Sequence, residues 1–281
     1  MRTVILSFSH HGRSLAQQAR ALGHEIVGVM DAETSPRDAL TKEFDCPGFS
    51  DDATCLDTAQ PDVALVSGKH IEIPSHLATC VERRIPYLVD KPFADCASRL
   101  RPVAEATLRH NVFSACTLPN RKSRLVPLVK TMPADGRLGD LVLFGSRLNN
   151  GPPSRYYPTP SYWHNDPSVS GGGSWAVEAA HGIDTFLDVL GDVEVEVVGA
   201  VMSNAMYGRA FEDWGMGVLR TPAGTTGVIE AGYTYPSGTH AGDHFFRFVG
   251  TNAMVFERYD RQHQPIIEIH TTSGIEFIPD N

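Results

Sequence analysis

Cysteine is scarce in this sequence, and the few cysteines form no C-x-x-C pair. There are five among 281 residues, all in the first half of the chain. They are Cys46, Cys55, Cys80, Cys96 and Cys116. An odd number of cysteines without such a pair is typical of reduced thiols in a cytosolic protein.

The sequence also lacks runs of basic residues and long apolar stretches. Its formal net charge is -9, which offers phosphate backbones and anionic lipid surfaces no electrostatic attraction. No apolar stretch approaches the length of a membrane-spanning helix, and the first apolar run is too short for the core of a signal peptide. We therefore expect a cytoplasmic protein whose partners include neither nucleic acid nor a membrane.

Apolar residues are plentiful: they make up 42% of the chain, enough for two ordinary cores. In the first half, short β-rich runs alternate with helical patterns, which is the sequence form of a parallel sheet built from βαβ units. The predicted strands are Thr3–Phe8, Glu25–Met30, Val63–Val66, Tyr87–Val89 and Val112–Cys116.

The pattern changes at about residue 117. One helix is predicted around Arg121–Met132 and another from about Trp175 to Leu190, with long β-rich segments before and after the second helix. Glycine, proline and asparagine separate these segments. Such a pattern favours an open, largely antiparallel sheet. We therefore predict a first domain at residues 1–117 and a second at residues 118–281.

The turn after the first strand departs from the dinucleotide-binding fingerprint G-x-G-x-x-G. It consists of Ser7, Phe8, Ser9, His10, His11 and Gly12, so only the third glycine is present. The fingerprint glycines let the backbone approach a pyrophosphate, where the Cβ of Ser9 would intrude. Taken alone, the turn favours an ordinary βα turn of a flavodoxin-like sheet. Asp31, which ends the second strand, can bind ribose hydroxyls or can be a simple turn aspartate.

Two pairs of histidines suggest a metal site, but neither pair has the right surroundings. His10 and His11 are adjacent, so their side chains diverge, and no Cys, Asp or Glu stands at ligand spacing around them. His240 and His244 are four residues apart in a glycine-rich segment rather than a helix, and we expect them to be loop residues. We expect no metal site.

Three later segments occur together in one known family. The first is Asp90-Lys91-Pro92, which follows a predicted strand. The second is Gly136 to Asp140, before the large sheet, and the third runs from Tyr162 to Gly173 and leads into a helix that carries His181 to Asp184. In this order and spacing they resemble motifs of the glucose-fructose oxidoreductase and inositol dehydrogenase (Gfo/Idh/MocA) family. The resemblance covers nearly the whole chain.

The resemblance implies an α/β fold with an N-terminal Rossmann domain, a doubly wound parallel sheet, and a C-terminal α+β domain with a large, mainly antiparallel open sheet. It implies NAD as the cofactor, with NADP less favoured because Asp31 would repel a 2′-phosphate. The cofactor-binding residues would be Ser7, Phe8, Ser9, His10, His11, Gly12, Asp31 and Lys91. It also implies a homodimer or homotetramer formed through the second domain's sheet.

By the same resemblance, Lys91 and His181 are the expected catalytic residues. Lys91 would hydrogen-bond the reacting hydroxyl and stabilise a developing alkoxide, while His181 would take the hydroxyl proton as a hydride moves to the nicotinamide. The expected substrate-binding residues are Lys91, Tyr162, Trp163, His164 and His181. Tyr162 and Trp163 would form a stacking wall for a sugar, although a core position for Trp163 is equally open.

The sequence departs from the family pattern on the helix of His181. Val177 replaces the aspartate that stands four residues before this histidine, on the same helix face. Glu178 is turned by about 100° from that position, so we expect it to be structural. His164 stands where the family often has arginine, and Ala179 replaces a glycine.

The expected function is NAD(P)-dependent interconversion of a secondary alcohol and a ketone on a sugar, cyclitol or sugar acid. Two alternatives stay open: a non-redox or redox-neutral enzyme of the lyase or epimerase type, and a non-catalytic ligand-binding member of the same fold. The presence of Lys91 and His181 argues against the non-catalytic alternative. Ser7, Ser9 and Val177 argue for it.

Overall fold

The computed structural model describes residues 1–8, 10–133, 135–157, 159, 162–236, 242–259 and 264–279. The chain forms two compact units. The first consists of Met1–Thr117 with Trp163–Gly171, and the second of Leu118–Tyr162 with Gly172–Asn281. The sequence division at residue 117 assigns residues 163–171 to the second domain. Residues 163–171 belong to the first unit instead, because they form hydrogen bonds with His70 and Ile71 in the loop after residue 66.

The first unit is built on a six-stranded sheet whose strands pair in parallel. The strands are β1 (Arg2–Leu6), β2 (Glu25–Met30), β3 (Gly48–Phe49), β4 (Val63–Val66), β5 (Tyr87–Val89) and β6 (Ser114–Cys116). Their order is β3-β2-β1-β4-β5-β6, which reverses between β1 and β4. Ligands of doubly wound sheets bind beyond the carboxyl ends of the strands at such a reversal. The predicted doubly wound parallel sheet is confirmed.

Helices flank this sheet and bury both of its faces. They are α1 (His10–Ala21), α2 (Thr34–Phe44), α3 (Asp52–Ala59), α4 (Ile73–Glu82) and α5 (Ala97–Arg109). On β1, Val4 and Leu6 belong to one core cluster and Ile5 to another, and all three are at most 1% exposed. Burial on both faces explains why β4, most of β2 and the last three residues of β1 are continuous apolar runs.

The bounds of β2, β4 and β5 are those that the sequence predicts, whereas β1 and β6 are shorter. β1 ends at Leu6 because Ser7 leaves the strand with a φ of 62°. β6 starts two residues late because the N–H of Val112 still binds the carbonyl of Thr107, at the end of α5. Helix α2 was not predicted, since its buried side chains, Leu40 and Phe44, are too few for a clear helical stripe.

The second unit is built on an eight-stranded sheet of order β14-β13-β12-β11-β7-β10-β9-β8. The strands are β7 (Leu141–Asn149), β8 (Glu196–Ser203), β9 (Trp214–Arg220), β10 (Thr226–Gly232), β11 (Asp243–Gly250), β12 (Ala253–Tyr259), β13 (Pro265–Thr271) and β14 (Gly274–Pro279). β7 and β10 pair in parallel, and the other neighbouring strands pair antiparallel. The predicted large, mainly antiparallel sheet is confirmed.

Helical segments complete the second half of the chain. The α-helices among them are α6 (Leu125–Thr131), α7 (Pro167–Ser170), which belongs to the first unit, and α8 (Ser174–Leu190). On α8, Phe186 stacks on Phe144 of β7, with 5.4 Å between ring centroids. A Cβ on Gly182 would stand 2.2 Å from Oγ of Ser146, so glycine lets α8 lie close to the sheet. No helix in the described part of the chain is long and apolar enough to cross a membrane.

Candidate active site

The carboxylate of Asp90 joins three parts of the first unit, just beyond the carboxyl end of β5. Its Oδ1 accepts hydrogen bonds from the backbone N–H of Lys91 at 2.9 Å and from the hydroxyl of Thr117 at 2.6 Å. Its Oδ2 lies 3.0 Å from Nδ1 of His11, in the first turn of α1. Asp90 therefore connects the ends of β5 and β6 to the turn that follows β1.

The surroundings of Asp90 keep it ionised. Burial raises the pKa of Asp90, but hydrogen bonds from His11 and Thr117, with the charges of His11 and Lys91, lower this pKa below its ordinary value. Lys91 is itself buried, with 8% of its surface exposed. Because a buried ammonium needs a compensating charge, the Asp90 carboxylate stabilises Lys91 in this position.

Ser7 adopts a backbone conformation that glycine favours. Its φ of 62° lies in the left-handed region. The Ser7 hydroxyl lies beside Gly68, in the loop after β4, and a Cβ on Gly68 would stand 2.2 Å from it. The Ser7 side chain thus occupies space that glycine at position 68 leaves open.

The remaining residues of this turn lead into α1, which begins at His10. Phe8 is partly buried and packs against the core cluster that contains Ile5, and Gly12 is buried in the first helical turn. Ser9 lies outside the residues that the structure describes. The expected crowding of a pyrophosphate by its Cβ therefore stays a prediction.

Asp31 lies just beyond the carboxyl end of β2, where the sequence predicts a contact with ribose hydroxyls. Its Oδ1 accepts a hydrogen bond from the backbone N–H of Glu33 at 2.8 Å. Burial raises the pKa of Asp31, and the hydrogen bond from Glu33 offsets part of this rise. Arg37 donates to the backbone carbonyl of Asp31 at 2.8 Å and to the hydroxyl of Thr34 at 3.2 Å. A guanidinium is therefore held next to Asp31 by neutral oxygen atoms.

These features fit a nicotinamide dinucleotide. The turn after β1 lies at the reversal of strand order, α1 begins within this turn, and an acidic residue follows β2. A helix N-terminus offers backbone N–H groups to phosphate, and a carboxylate after the second strand accepts hydrogen bonds from ribose hydroxyls. The left-handed Ser7 and the space beside Gly68 keep the turn tight although the first fingerprint glycine is missing.

His70, a buried histidine outside the predicted site, holds Trp163–Gly171 in the first unit. It is 3% exposed, and its Nδ1 lies 2.7 Å from the carbonyl oxygen of Ser170. Its ring meets those of Trp163 and His164 edge-on, at centroid distances of 4.9 and 5.2 Å. No local pattern identifies such a histidine, since Ser170 follows it by 100 residues.

The predicted substrate wall is divided between the two units. Trp163 and His164 belong to the first unit, where their rings stack with 3.6 Å between centroids. Tyr162 belongs to the second, where its ring centroid lies 6.4 Å from that of Tyr157. The structure brings Trp163 and His164 together and groups Tyr162 with other residues.

His181 lies on α8 in the second unit and is partly buried. Its backbone carbonyl accepts a hydrogen bond from the hydroxyl of Thr185 at 2.8 Å. Val177, one turn earlier on the helix, is 6% exposed. A buried apolar side chain therefore fills the position of the family's aspartate.

Glu178 is buried against residues at the end of the large sheet. It is 5% exposed, and its Oε1 accepts the hydroxyl of Tyr233 at 2.9 Å. The ring of Tyr156 stacks on that of Tyr233 with 4.6 Å between centroids. Burial, followed by the charge of Glu178, raises the pKa of Tyr233 well above its ordinary value, so this phenol stays protonated and donates. These contacts agree with a structural role for Glu178.

His244 lies in β11 rather than in a loop, which corrects the sequence-based expectation. Its Nε2 lies 2.7 Å from Oδ1 of Asn150. Burial lowers the pKa of His244, and the charge of Glu178 raises it in part. His240 lies outside the described residues. Within the described ranges, no cluster of three or more His, Cys, Asp or Glu residues could hold a metal ion.

The glycines before α8 permit close contacts within the chain itself. The backbone N–H groups of Gly173 and Ala176 donate to Oε1 of Glu212, at 2.7 and 3.2 Å. Glu212 therefore caps the N-terminus of α8 with a negative charge. Gly171 has a φ of 78°, and a Cβ on it would stand 2.3 Å from the backbone oxygen of Asp95.

Both halves of the chain match sequence profiles of one family. Residues 5–115 match a profile described as an oxidoreductase family with an NAD-binding Rossmann fold. Residues 127–256 match the GFO/IDH/MocA C-terminal domain. No curated protein is similar enough in sequence to count as a match.

Solved structures of similar fold include three dehydrogenases or their homologues. An inositol dehydrogenase homolog from Azotobacter vinelandii, complexed with NAD+, has a TM-score of 0.85 at 14% identity, covering 99% of this chain and 76% of that one. Levoglucosan dehydrogenase, in complex with NADH and L-sorbose, has a TM-score of 0.82 at 18% identity, with coverages of 99% and 80%. The WlbA dehydrogenase from Bordetella pertussis, in complex with NADH and UDP-GlcNAcA, has a TM-score of 0.80 at 20% identity, with coverages of 91% and 75%.

Proposed function

Since this chain belongs to the Gfo/Idh/MocA oxidoreductase family, we propose that it interconverts a secondary alcohol and a ketone on a sugar, cyclitol or sugar acid by hydride transfer. The observation that carries this proposal is the position of Lys91. It is a buried lysine beside the carboxylate of Asp90, at the carboxyl end of β5 in an NAD-binding Rossmann domain. Ligands of doubly wound sheets bind at that end.

We propose NAD rather than NADP as the cofactor. The turn from Ser7 to Gly12 would hold it, together with Asp31, whose carboxylate favours ribose hydroxyls over a 2′-phosphate. Arg37 could oppose that preference, but its guanidinium already donates to the Asp31 carbonyl and to the hydroxyl of Thr34. When bound, the nicotinamide ring supplies the hydride acceptor or donor.

Lys91 and His181 are the proposed catalytic residues. The Lys91 ammonium hydrogen-bonds the substrate oxygen and stabilises the negative charge that develops on it as the hydride leaves the adjacent carbon. His181 takes the hydroxyl proton during oxidation and returns it during reduction. Tyr162, Trp163 and His164 are proposed to bind the substrate.

The ligands of similar proteins support the substrate class. Levoglucosan dehydrogenase was crystallised with L-sorbose and with levoglucosan, and WlbA with UDP-GlcNAcA. At identities of 18 to 20%, these structures favour the class rather than one sugar.

Turnover with a panel of sugars, cyclitols and sugar acids tests the proposal. With NAD, at least one class should produce the absorbance of reduced nicotinamide. Lys91→Met should lower that turnover by at least about a hundredfold. The matched control Lys42→Met, at an exposed lysine on α2, should leave it unchanged.

Two results would contradict the proposal. If calorimetry shows that neither NAD nor NADP binds, hydride transfer with a nicotinamide cofactor is contradicted. If the cofactor binds but no substrate yields reduced nicotinamide, NMR detection of an epimerised or dehydrated sugar would identify the redox-neutral alternative.

A further inference from the structure

We propose that His70 is a positioning residue that holds Trp163 and His164 as a stacking platform for a cyclic, hydroxylated substrate. The chemical class of that substrate rests on the proposed function. The platform itself is formed by contacts within the first unit.

The hydrogen bond of His70 fixes its tautomer. A carbonyl oxygen only accepts, so the 2.7 Å contact between Nδ1 and the oxygen of Ser170 requires the proton on Nδ1. The next residue makes a second hydrogen bond to the same helix: the N–H of Ile71 donates to the carbonyl of Val169 at 3.1 Å. Two consecutive residues of the loop after β4 thus bind two consecutive residues of α7.

The ring of His70 packs against both aromatic rings of the platform. It meets Trp163 at an interplanar angle of 82° and His164 at 89°, while these two rings stack on each other at 25°. Edge-to-face contacts of this kind stabilise one relative orientation of the rings. Removal of His70 would leave the stacked pair without the ring that supports both members.

The charges around His70 favour a neutral ring. Burial lowers the pKa of His70, and the hydrogen bond to Ser170 raises it in part. The charge of Lys91 lowers it further, whereas Asp90 and Asp95 raise it, and the net pKa lies below its ordinary value. At physiological pH the ring therefore carries no charge, so it packs edge-on against the stacked pair without the cost of burying an ion.

The surroundings of the platform suit a cyclic polyol. An indole offers a flat apolar face with a polar edge, which can pack against the C–H face of a saturated ring. Trp163 is partly buried and His164 is 8% exposed, so the indole is the more accessible member of the pair. Lys91 belongs to the same unit, and its charge acts on His70. Its ammonium can donate hydrogen bonds to the hydroxyls of the polyol.

Fluorine NMR of the full-length protein labelled with 5-fluorotryptophan tests the platform directly. The resonance of Trp163 is assigned by its loss in Trp163→Phe. An excess of myo-inositol, D-glucose or D-glucuronate should shift this resonance in the wild type. His70→Ala should shift or broaden it without sugar, and His70→Asn, which keeps an N–H donor for Ser170, should restore part of the wild-type signal.

Kinetics and a matched control complete the experiment. For a sugar that is turned over, His70→Ala should raise KM by about tenfold with a much smaller change in kcat, while the affinity for NADH measured by calorimetry stays close to that of the wild type. His76→Asn alters another histidine of the first unit, bonded to Asp52, and should leave the Trp163 resonance in place.

Three results would overturn the inference. They are an unchanged Trp163 resonance in His70→Ala, no shift with any of the three sugars, and a loss of NADH affinity as large as the loss of sugar affinity. Because the fluorine signal needs no turnover, an absence of oxidation alone would contradict the proposed function and not the platform.

Discussion

His11 and Asp90 are joined by a contact of 3.0 Å although 79 residues separate them in the chain. The contact links the first turn of α1 to the end of β5. The side chain of His11 is 44% exposed and that of Asp90 is 9% exposed. The orientation of a side chain in the proposed cofactor turn therefore depends on the residue next to Lys91.

Asp90→Asn is expected to destabilise the fold by about 1–3 kcal/mol at neutral pH, because an amide replaces an ionised acceptor of several hydrogen bonds. The folded pKa of Asp90 is lowered, so its contribution is present above the unfolded pKa of about 4 and is lost as pH falls through the folded pKa. Urea denaturation of both proteins across this range measures the difference. Asp57→Asn, at an exposed carboxylate bonded to Arg83, is the control and should show a smaller effect. Equal effects of the two changes would contradict the role of Asp90.

Gly68→Ala should destabilise the protein by more than the backbone strain of a left-handed alanine, because its Cβ would meet the hydroxyl of Ser7. Gly224→Ala isolates the strain, since Gly224 has a φ of 94° and no atom within 4 Å of an added Cβ. Ser7→Gly should recover about 1–3 kcal/mol more in the Gly68→Ala background than in the Gly224→Ala background, where it relieves only the left-handed strain of Ser7 itself. Recovery of equal size in both would show that Ser7 and Gly68 are independent.

Asp31→Ala should lower the ratio of NAD affinity to NADP affinity by about tenfold, mainly because NADP binds more tightly. Calorimetric titration with both cofactors measures this change. Glu33→Ala is the control, because Glu33 is exposed and contacts Asp31 through its backbone N–H. Tight binding of NADP to the wild type, unchanged in Asp31→Ala, would assign the specificity to other residues.

Val177→Asp should raise alcohol oxidation if the absent carboxylate limits His181 as a proton acceptor. Position 177 is 6% exposed, so an aspartate there is tolerated only if it finds a hydrogen-bond donor. The melting temperature of Val177→Asp should therefore fall further when His181→Ala is added than it does from His181→Ala alone. Val177→Asn, which is polar but uncharged, should not raise turnover. Abolished turnover in a folded, cofactor-binding Val177→Asp protein would show that an apolar group is needed there.

A homodimer or homotetramer formed through the large sheet stays a prediction, and the sheet's exposed apolar residues allow a test. Ile275 and Phe277 on β14 are 52% and 60% exposed. Light scattering should show an oligomer for the wild type and a smaller species for Ile275→Lys with Phe277→Lys. Leu108→Lys, at an 82% exposed leucine on α5, should leave the mass unchanged. A monomeric wild type would refute the prediction.

The sequence predicts a secondary-structure element well when a single physical cause determines its local residue pattern. The strands β2, β4 and β5 consist mainly of apolar residues because they lie inside a sheet that is covered on both faces, and their bounds were predicted as found. The family motifs point to Lys91, which lies buried just beyond the end of β5, and its catalytic role stays a prediction.

Contacts between distant segments were not predictable in this way. His70 gives no periodic pattern, and its partner lies 100 residues away. The unit boundary between Tyr162 and Trp163 is equally invisible in the sequence, because it depends on contacts with segments that are distant along the chain. The same holds for Glu212, which caps a helix that begins 38 residues earlier in the chain.

Ser7 and Gly68 also restrict the order in which their two loops can be changed. With a side chain at position 68, a serine at position 7 would meet a Cβ at 2.2 Å. With glycine at both positions, no side chains overlap, and only a space is left unfilled. A series of substitutions that adds a side chain at position 68 therefore avoids the clash only if Ser7 is replaced by glycine first.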